Sequence, residues 1–170
     1  MQFTPIPDPR GHAWHSVRVE QVWLGRDTLV ADDRRAPDAM ASFRHGKRTI
    51  LDSGTTDTYL PADLEPYMEQ AWKNVTGLEW QQRKRDYTHE EYLRLPEIHL
   101  VLQGNVTLTL QPQYYMEGSR SGQPWAGKRR LVNRVYTDEH IGAVLGLNAM
   151  MGYDIYFEGE SIGLARADCL

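Results

Sequence analysis

Thr49-Ile50-Leu51-Asp52-Ser53-Gly54-Thr55-Thr56 decides how the chain is read. Thr49 to Leu51 is a short apolar, β-prone run. It stops at Asp52-Ser53-Gly54, three residue types that relieve or satisfy an unpaired backbone in a turn. A carboxylate at a strand's end with hydroxyls beside it can be held rigidly, and N–H groups released by a glycine turn can donate to it. A bare Asp-Ser-Gly is a β-turn and nothing more. The strand before this one, and Tyr59-Leu60-Pro61 with a helix after it, give it mechanical content.

Upstream of the turn, Val17, Val19, Val22 and Leu24 alternate with polar residues, the pattern of a half-buried strand or hairpin. Ala31 to Arg48 is charged and holds Pro37 and Gly46, so it reads as a surface loop. Downstream, Leu64, Tyr67, Met68, Ala71, Trp72 and Val75 fall at helical spacing on one apolar stripe. That helix starts between Pro61 and Pro66 and ends at Gly77. Gln81 to Asp86 is a charged connector. Ile98, Leu100 and Leu102 alternate, Gly104-Asn105 turns, and Val106, Leu108 and Leu110 alternate again, which predicts a hairpin. A Gly/Ser/Arg-rich loop follows from Glu117 to Arg130. Ala143 to Gly146, Tyr153 to Phe157 and Ile162 to Ala165 then read as short strands, with a turn at Glu158-Gly159. The expected fold is a single domain over residues 1–170, all-β and mostly antiparallel, with one main amphipathic helix and short helical turns.

Composition narrows the function classes. The chain has 170 residues, 41% of them hydrophobic and 25% charged, which argues against wholesale disorder. No apolar run approaches the roughly 20 residues of a membrane-spanning helix. A net charge of -4 lacks the electrostatic footprint of a nucleic-acid protein. The single cysteine, Cys169, excludes a disulfide within the chain and any multi-cysteine metal site; it is a free thiol or half of a bridge to another chain segment. No metal is expected, because His12 and His15 have no nearby carboxylate or cysteine partners and His89-Glu90-Glu91 has no second histidine at the needed spacing. Arg83 to Arg85 and Lys128-Arg129-Arg130 are two basic runs able to form a patch for an anion. The negative net charge and the lack of interleaved aromatics assign them instead to solvated loops. No serine sits in a nucleophile elbow, and no phosphate-cradling glycine loop follows a strand. Asn74-Val75-Thr76 and Asn105-Val106-Thr107 are sequons for N-glycosylation in a secretory compartment. Met1 to Pro7 has no basic region followed by an apolar stretch, so no signal peptide is expected, which taken alone points to the cytosol.

Four blocks, in order, carry a resemblance. They are Phe3-Thr4-Pro5-Ile6; the strand from Trp14 to Leu24 ending at Gly25; Ile50 to Thr56 with Leu60-Pro61; and Val144-Leu145-Gly146 through Phe157 with Ile162 to Ala165. Together they resemble the C-terminal lobe of the pepsin-like aspartic proteases, from about residue 3 to residue 169. Leu95 to Ile98 and Gln111 to Tyr115 are similar to the nepenthesin-like and endomembrane plasmepsin branches. The resemblance implies one lobe of the bilobal acid protease fold and an aspartic endopeptidase acting on a peptide or protein substrate. It implies no cofactor, and a location in the secretory pathway, outside the cell or in an endomembrane lumen. By position it implies that Asp52 is the catalytic carboxylate and that Ser53 lies in the hydroxyl grip between lobes. Gly54 would let its N–H approach the carboxylate, Thr55 would bond its outer oxygen, Thr56 would face substrate, and Gly146 would support the turn from the ψ-loop. Cys169 is similar to the family's late cysteine, whose partner is expected between Glu117 and Arg130, where this sequence has none.

In that family two aspartates, one per lobe, share a proton and activate a water between them. The sequence holds no second Asp-Thr-Gly or Asp-Ser-Gly. The expected partner is therefore a missing N-terminal lobe or, in the manner of retroviral proteases, a second copy meeting Asp52 on a two-fold axis. A monomer is expected to be inactive. A different class of function is a non-catalytic binding module, similar to the pepsin-fold xylanase inhibitors of plants; retention of Asp52 to Thr56 argues against it.

Overall fold

The computed structural model describes residues 1–8, 15–31, 36–118, 125 and 127–167. Its first half runs β1 (Gln2–Pro5), β2 (Ser16–Val17), β3 (Val19–Leu24), β4 (Asp27–Ala31), α1 (Pro37–Ser42), β5 (Thr49–Leu51), β6 (Thr58–Pro61), α2 (Glu65–Thr76) and β7 (Arg85–Thr88). The second half runs α3 (His89–Leu93), β8 (Ile98–Leu102), β9 (Val106–Leu110), α4 (Pro112–Tyr115), β10 (Met116–Gly118), β11 (Lys128–Asn133), β12 (Val135–Glu139), β13 (Ala143–Leu145), α5 (Leu147–Met150), β14 (Tyr153–Glu158) and β15 (Ser161–Arg166). The fold is mostly antiparallel β. Three sheets, ordered β1-β15-β14, β10-β11-β7 and β4-β3-β8-β9, are antiparallel throughout. The fourth, β12-β6-β13-β5-β2, is mixed, with β12 parallel to β6 and β13 parallel to β5.

The alternating segments become strands because one face of each can be buried. Val17, Val19, Val22 and Leu24 are buried, as are Ile98, Leu100, Leu102, Val106, Leu108 and Leu110 on the hairpin that pairs with β3 in the same sheet. The hairpin's register runs from Ile98 opposite Leu110 to Leu102 opposite Val106. Its tip needs positive φ at Gly104 (84°) and Asn105 (59°), which glycine and asparagine tolerate. Helix α2 packs on β3 and β4. Leu64 just before it, and Met68, Ala71 and Trp72 within it, are buried, and Trp72 meets Trp80 edge-on at 4.9 Å. Tyr67 and Val75 are exposed, so the apolar stripe is narrower than the spacing predicts. Pro66 occupies the first turn and Gly77 closes the helix in the left-handed region, φ 73°.

Three stretches predicted as loops contain helix or strand among their described residues. Within Ala31 to Arg48, Pro37 opens α1 at a position where its missing N–H costs nothing, and Ala39, Met40 and Phe43 enter the core. Arg85 and Asp86 begin β7, which pairs with β11, and both ends of the Glu117–Arg130 stretch are strands. Asp86, Lys128 and Arg130 lie on the exposed face there, while Tyr87 and Leu131 are buried on the other, beside Arg85 and Arg129. Residues 119–124 and 126, together with His12, Trp14 and Cys169, lie outside the described residues. Asn74 sits on α2, and its sequon threonine, Thr76, is buried with its Oγ1 donating to Trp72 O at 2.7 Å. Asn105 is exposed at the hairpin tip.

Candidate active site

β5 and β13 lie side by side and parallel, pairing Thr49 with Ala143, Ile50 with Val144 and Leu51 with Leu145. Both are buried along their whole length, which is why both read as uninterrupted apolar runs. Asp52 N donates to Leu145 O at 3.0 Å, so the chain leaves the sheet at the carboxyl ends of these two strands. The turn then closes on the Asp52 side chain. Gly54 N donates to Oδ1 at 2.9 Å, Thr55 Oγ1 donates to Oδ2 at 2.7 Å, and Thr55 N returns to Asp52 O at 3.2 Å. A Cβ on Gly54 would lie 3.2 Å from Oδ1, so glycine eases the approach of its N–H.

Each carboxylate oxygen therefore has one donor, and the charged form is favoured. The Thr55 hydroxyl, and after it the Gly54 N–H, hold the Asp52 carboxyl below the ordinary aspartate range against a smaller opposing effect of burial. Asp52 is half-buried, so its remaining lone pairs stay open to solvent.

Gly146 supports the turn from beneath. A Cβ there would lie 2.1 Å from Asp57 O and 2.7 Å from Thr55 O, a contact only glycine avoids. The next two N–H groups grip the turn, Leu147 N on Thr55 O at 2.8 Å and Asn148 N on Thr56 O at 3.1 Å. Asn148, itself buried, accepts from Thr58 Oγ1 at 2.6 Å and donates through Nδ2 to Arg134 O at 2.9 Å. Arg134 O also accepts from Thr58 N at 3.3 Å. The turn is thus locked from β6, α5 and the link between β11 and β12 at once.

Of the residues singled out in the sequence, Asp52, Gly54 and Thr55 converge on one carboxylate and Gly146 abuts their backbone. Ser53 and Thr56 are exposed on the same turn. Sequence reasoning missed Asp57, Thr58, Arg134 and Asn148. Asn148 had a signal, as the one amide in the apolar run Ala143 to Met150. Asp57 is buried within 3.5 Å of Arg134 Nε. The described histidines that the sequence raised are packed on rings, His15 on Phe157 at 4.3 Å and His89 on Trp125 at 5.1 Å. Chemically, Asp52 is a carboxylate fixed by two donors that favour its ionised form, and it remains partly open to water. No protein-family model matches the chain, and no curated protein is significantly similar to it.

Proposed function

We propose that the chain is one lobe of a pepsin-like aspartic endopeptidase and contributes Asp52 as one of two carboxyl groups that activate a water. One observation carries the reading: the Asp52 carboxylate stands at the ends of two parallel strands, with Gly54 N–H on one oxygen and Thr55 Oγ1 on the other. Brought against a second aspartate, the two carboxyls cannot both ionise, so they hold one proton between them and titrate as a pair. The ionised member takes a proton from the water as it attacks the peptide carbonyl, and the protonated member donates to the developing oxyanion. The depressed pKa suits Asp52 to the ionised role. Ser53, Thr55, Thr56 and Gly146 keep the supporting roles that the resemblance implies.

The second carboxyl comes from an N-terminal lobe or from a second copy of the chain. The second copy is favoured by one feature, an exposed apolar face on the β1-β15-β14 sheet that includes Phe3 and Tyr156. The test is cleavage of a fluorogenic peptide at acid pH, by the chain alone over a concentration series and by the chain co-expressed with the first lobe of a pepsin-like enzyme. Activity in either arm that a pepstatin-type inhibitor blocks and Asp52→Asn abolishes supports the reading. Activity that survives Asp52→Asn, or none in either arm, sinks it.

A further inference from the structure

A cleft of about 660 Å³ lies over β10, β11 and the segment that leads into β7, lined by Lys84, Glu117, Arg130, Val132 and Arg134 among others. The two basic runs of the sequence are brought together here, because Lys84 leads into β7 and Arg130 on β11 pairs with Asp86 of β7. Arg130 and Val132 are two apart on β11, so strand alternation puts them on one face, and Arg134, one residue past the strand, lines the same cleft.

The three cations are not equally engaged. Arg134 is fixed: its Nε, shielded from solvent, lies 2.6 Å from Glu117 Oε2 and 3.5 Å from Asp57 Oδ1, and Nη1 donates to Tyr136 OH at 3.1 Å. Glu117 thereby demonstrates that a carboxylate oxygen fits within the cleft against the guanidinium. Lys84 and Arg130 are exposed, and among the described residues neither has a carboxylate within ion-pairing distance. The cleft therefore offers two uncommitted cations, an apolar floor at Val132, and one carboxylate already spent on Arg134. Arg134 links it to the segment that follows the Asp52 turn, since its Nε lies 3.5 Å from the carboxylate of Asp57, the residue after Thr56.

We propose that this cleft binds the carboxylate side chain of an acidic peptide running past the Asp52 turn, with Arg130 and Lys84 as the residues that grip it. Arginine presents a planar fork to a carboxylate, and lysine adds a second, mobile charge. The peptide as occupant rests on the protease reading, whereas the charge selectivity of the cleft does not. Binding to the chain needs no turnover, so failure here and failure of the protease assay are distinguishable.

The experiment is amide-resolved NMR titration of the full chain with a glutamate-containing heptapeptide, its glutamine counterpart, and inorganic phosphate. The glutamate peptide shifts the amides of Gly118, Arg130 and Val132, and its affinity falls as salt is raised. Its glutamine counterpart binds about tenfold more weakly, and the Lys84→Gln/Arg130→Gln double variant loses a similar factor, the scale expected for charge-assisted hydrogen bonds. Both substituted positions are exposed, and an unchanged thermal midpoint verifies that the variant is folded. Equal binding of the two peptides, shifts centred elsewhere, or no effect of the double variant overturns the proposal. Phosphate shifting these amides while the glutamate peptide does not also overturns it, leaving a site for small anions only.

Discussion

Thr55, together with the Gly54 N–H, favours the ionised form of Asp52 through a hydrogen bond of 2.7 Å, and that bond can be removed with little change in the shape of the side chain. Thr55→Val replaces the hydroxyl by a methyl group, so the Asp52 carboxyl moves up toward its ordinary range, while Thr55→Ser keeps the donor and the depressed value. Because the folded-state pKa lies below the unfolded one, this interaction stabilises the fold above the unfolded pKa and is lost as pH falls through the folded pKa. In the valine variant that loss is smaller and is complete at a higher pH, because the folded-state pKa lies nearer the unfolded one. Carboxyl carbon NMR titration checks it, and an unmoved Asp52 in Thr55→Val would remove the basis for a donor-held carboxylate. Gly146→Ala probes the same turn sterically, since the new methyl would lie 2.1 Å from Asp57 O and 2.7 Å from Thr55 O, the second of which Leu147 N holds in place. The expected cost is about 3 kcal/mol in denaturant unfolding, the upper range for overpacking. Asp52, Gly54 and Thr55 are legible in sequence because they are contiguous. The bond between Thr58 and Asn148 spans 90 residues, and no local pattern announces a pairing of that length.

Elements were legible where periodicity and punctuation agree. Helix α2 has its buried stripe, a proline in its first turn and a glycine just past its end. The β8–β9 hairpin has alternation on both arms and two residues at positive φ between them. Helix α1 was illegible because Pro37 signals a loop unless the residues after it are known to meet a core, and the core that takes Met40 and Phe43 is assembled from β3, β4 and beyond. β7 and β11 were illegible because Arg85 and Arg129 share the face of the buried Tyr87 and Leu131, so neither strand shows a clean apolar alternation. Gly77 allows the punctuation argument to be tested apart from packing. A Cβ there meets nothing within 4 Å, so Gly77→Ala is opposed only by the left-handed backbone at φ 73°. The predicted loss is about 1 kcal/mol, with the denaturant slope unchanged. Gly77→Asn, which tolerates that region better, should recover part of it. A neutral alanine variant would show that the helix end relaxes, and that the glycine is not what stops α2.

At the scale of the whole molecule, the mostly antiparallel class followed from many short alternating runs, whereas the order of strands in the mixed sheet did not. β12, β6, β13, β5 and β2 are neighbours in space but come from both halves of the chain, and the parallel pairing of β5 with β13 joins residues more than ninety positions apart. That pairing puts the Asp52 turn at the carboxyl ends of β5 and β13 with one carboxylate held by its donors, while the chemistry proposed for it requires two. Any partner supplying the second must cover surface, and the β1-β15-β14 sheet has such surface to give. Phe3 and Tyr156 both pair with Gly163, so they share a face, and they are 47% and 53% exposed. Met1 joins them, since a Cβ on Gly163 would strike its sulfur and the Phe3 ring. Clustered aromatic and thioether side chains of this kind mark association sites more often than single exposed residues do. The chain on its own is therefore expected to self-associate reversibly, seen as a sedimentation coefficient that rises with concentration. Phe3→Lys/Tyr156→Lys should hold it monomeric with little change in thermal midpoint, because both side chains already face solvent. A wild-type chain that sediments as a monomer at every concentration would remove the observation that favours a second copy, and would move the search for the other carboxyl to an N-terminal lobe.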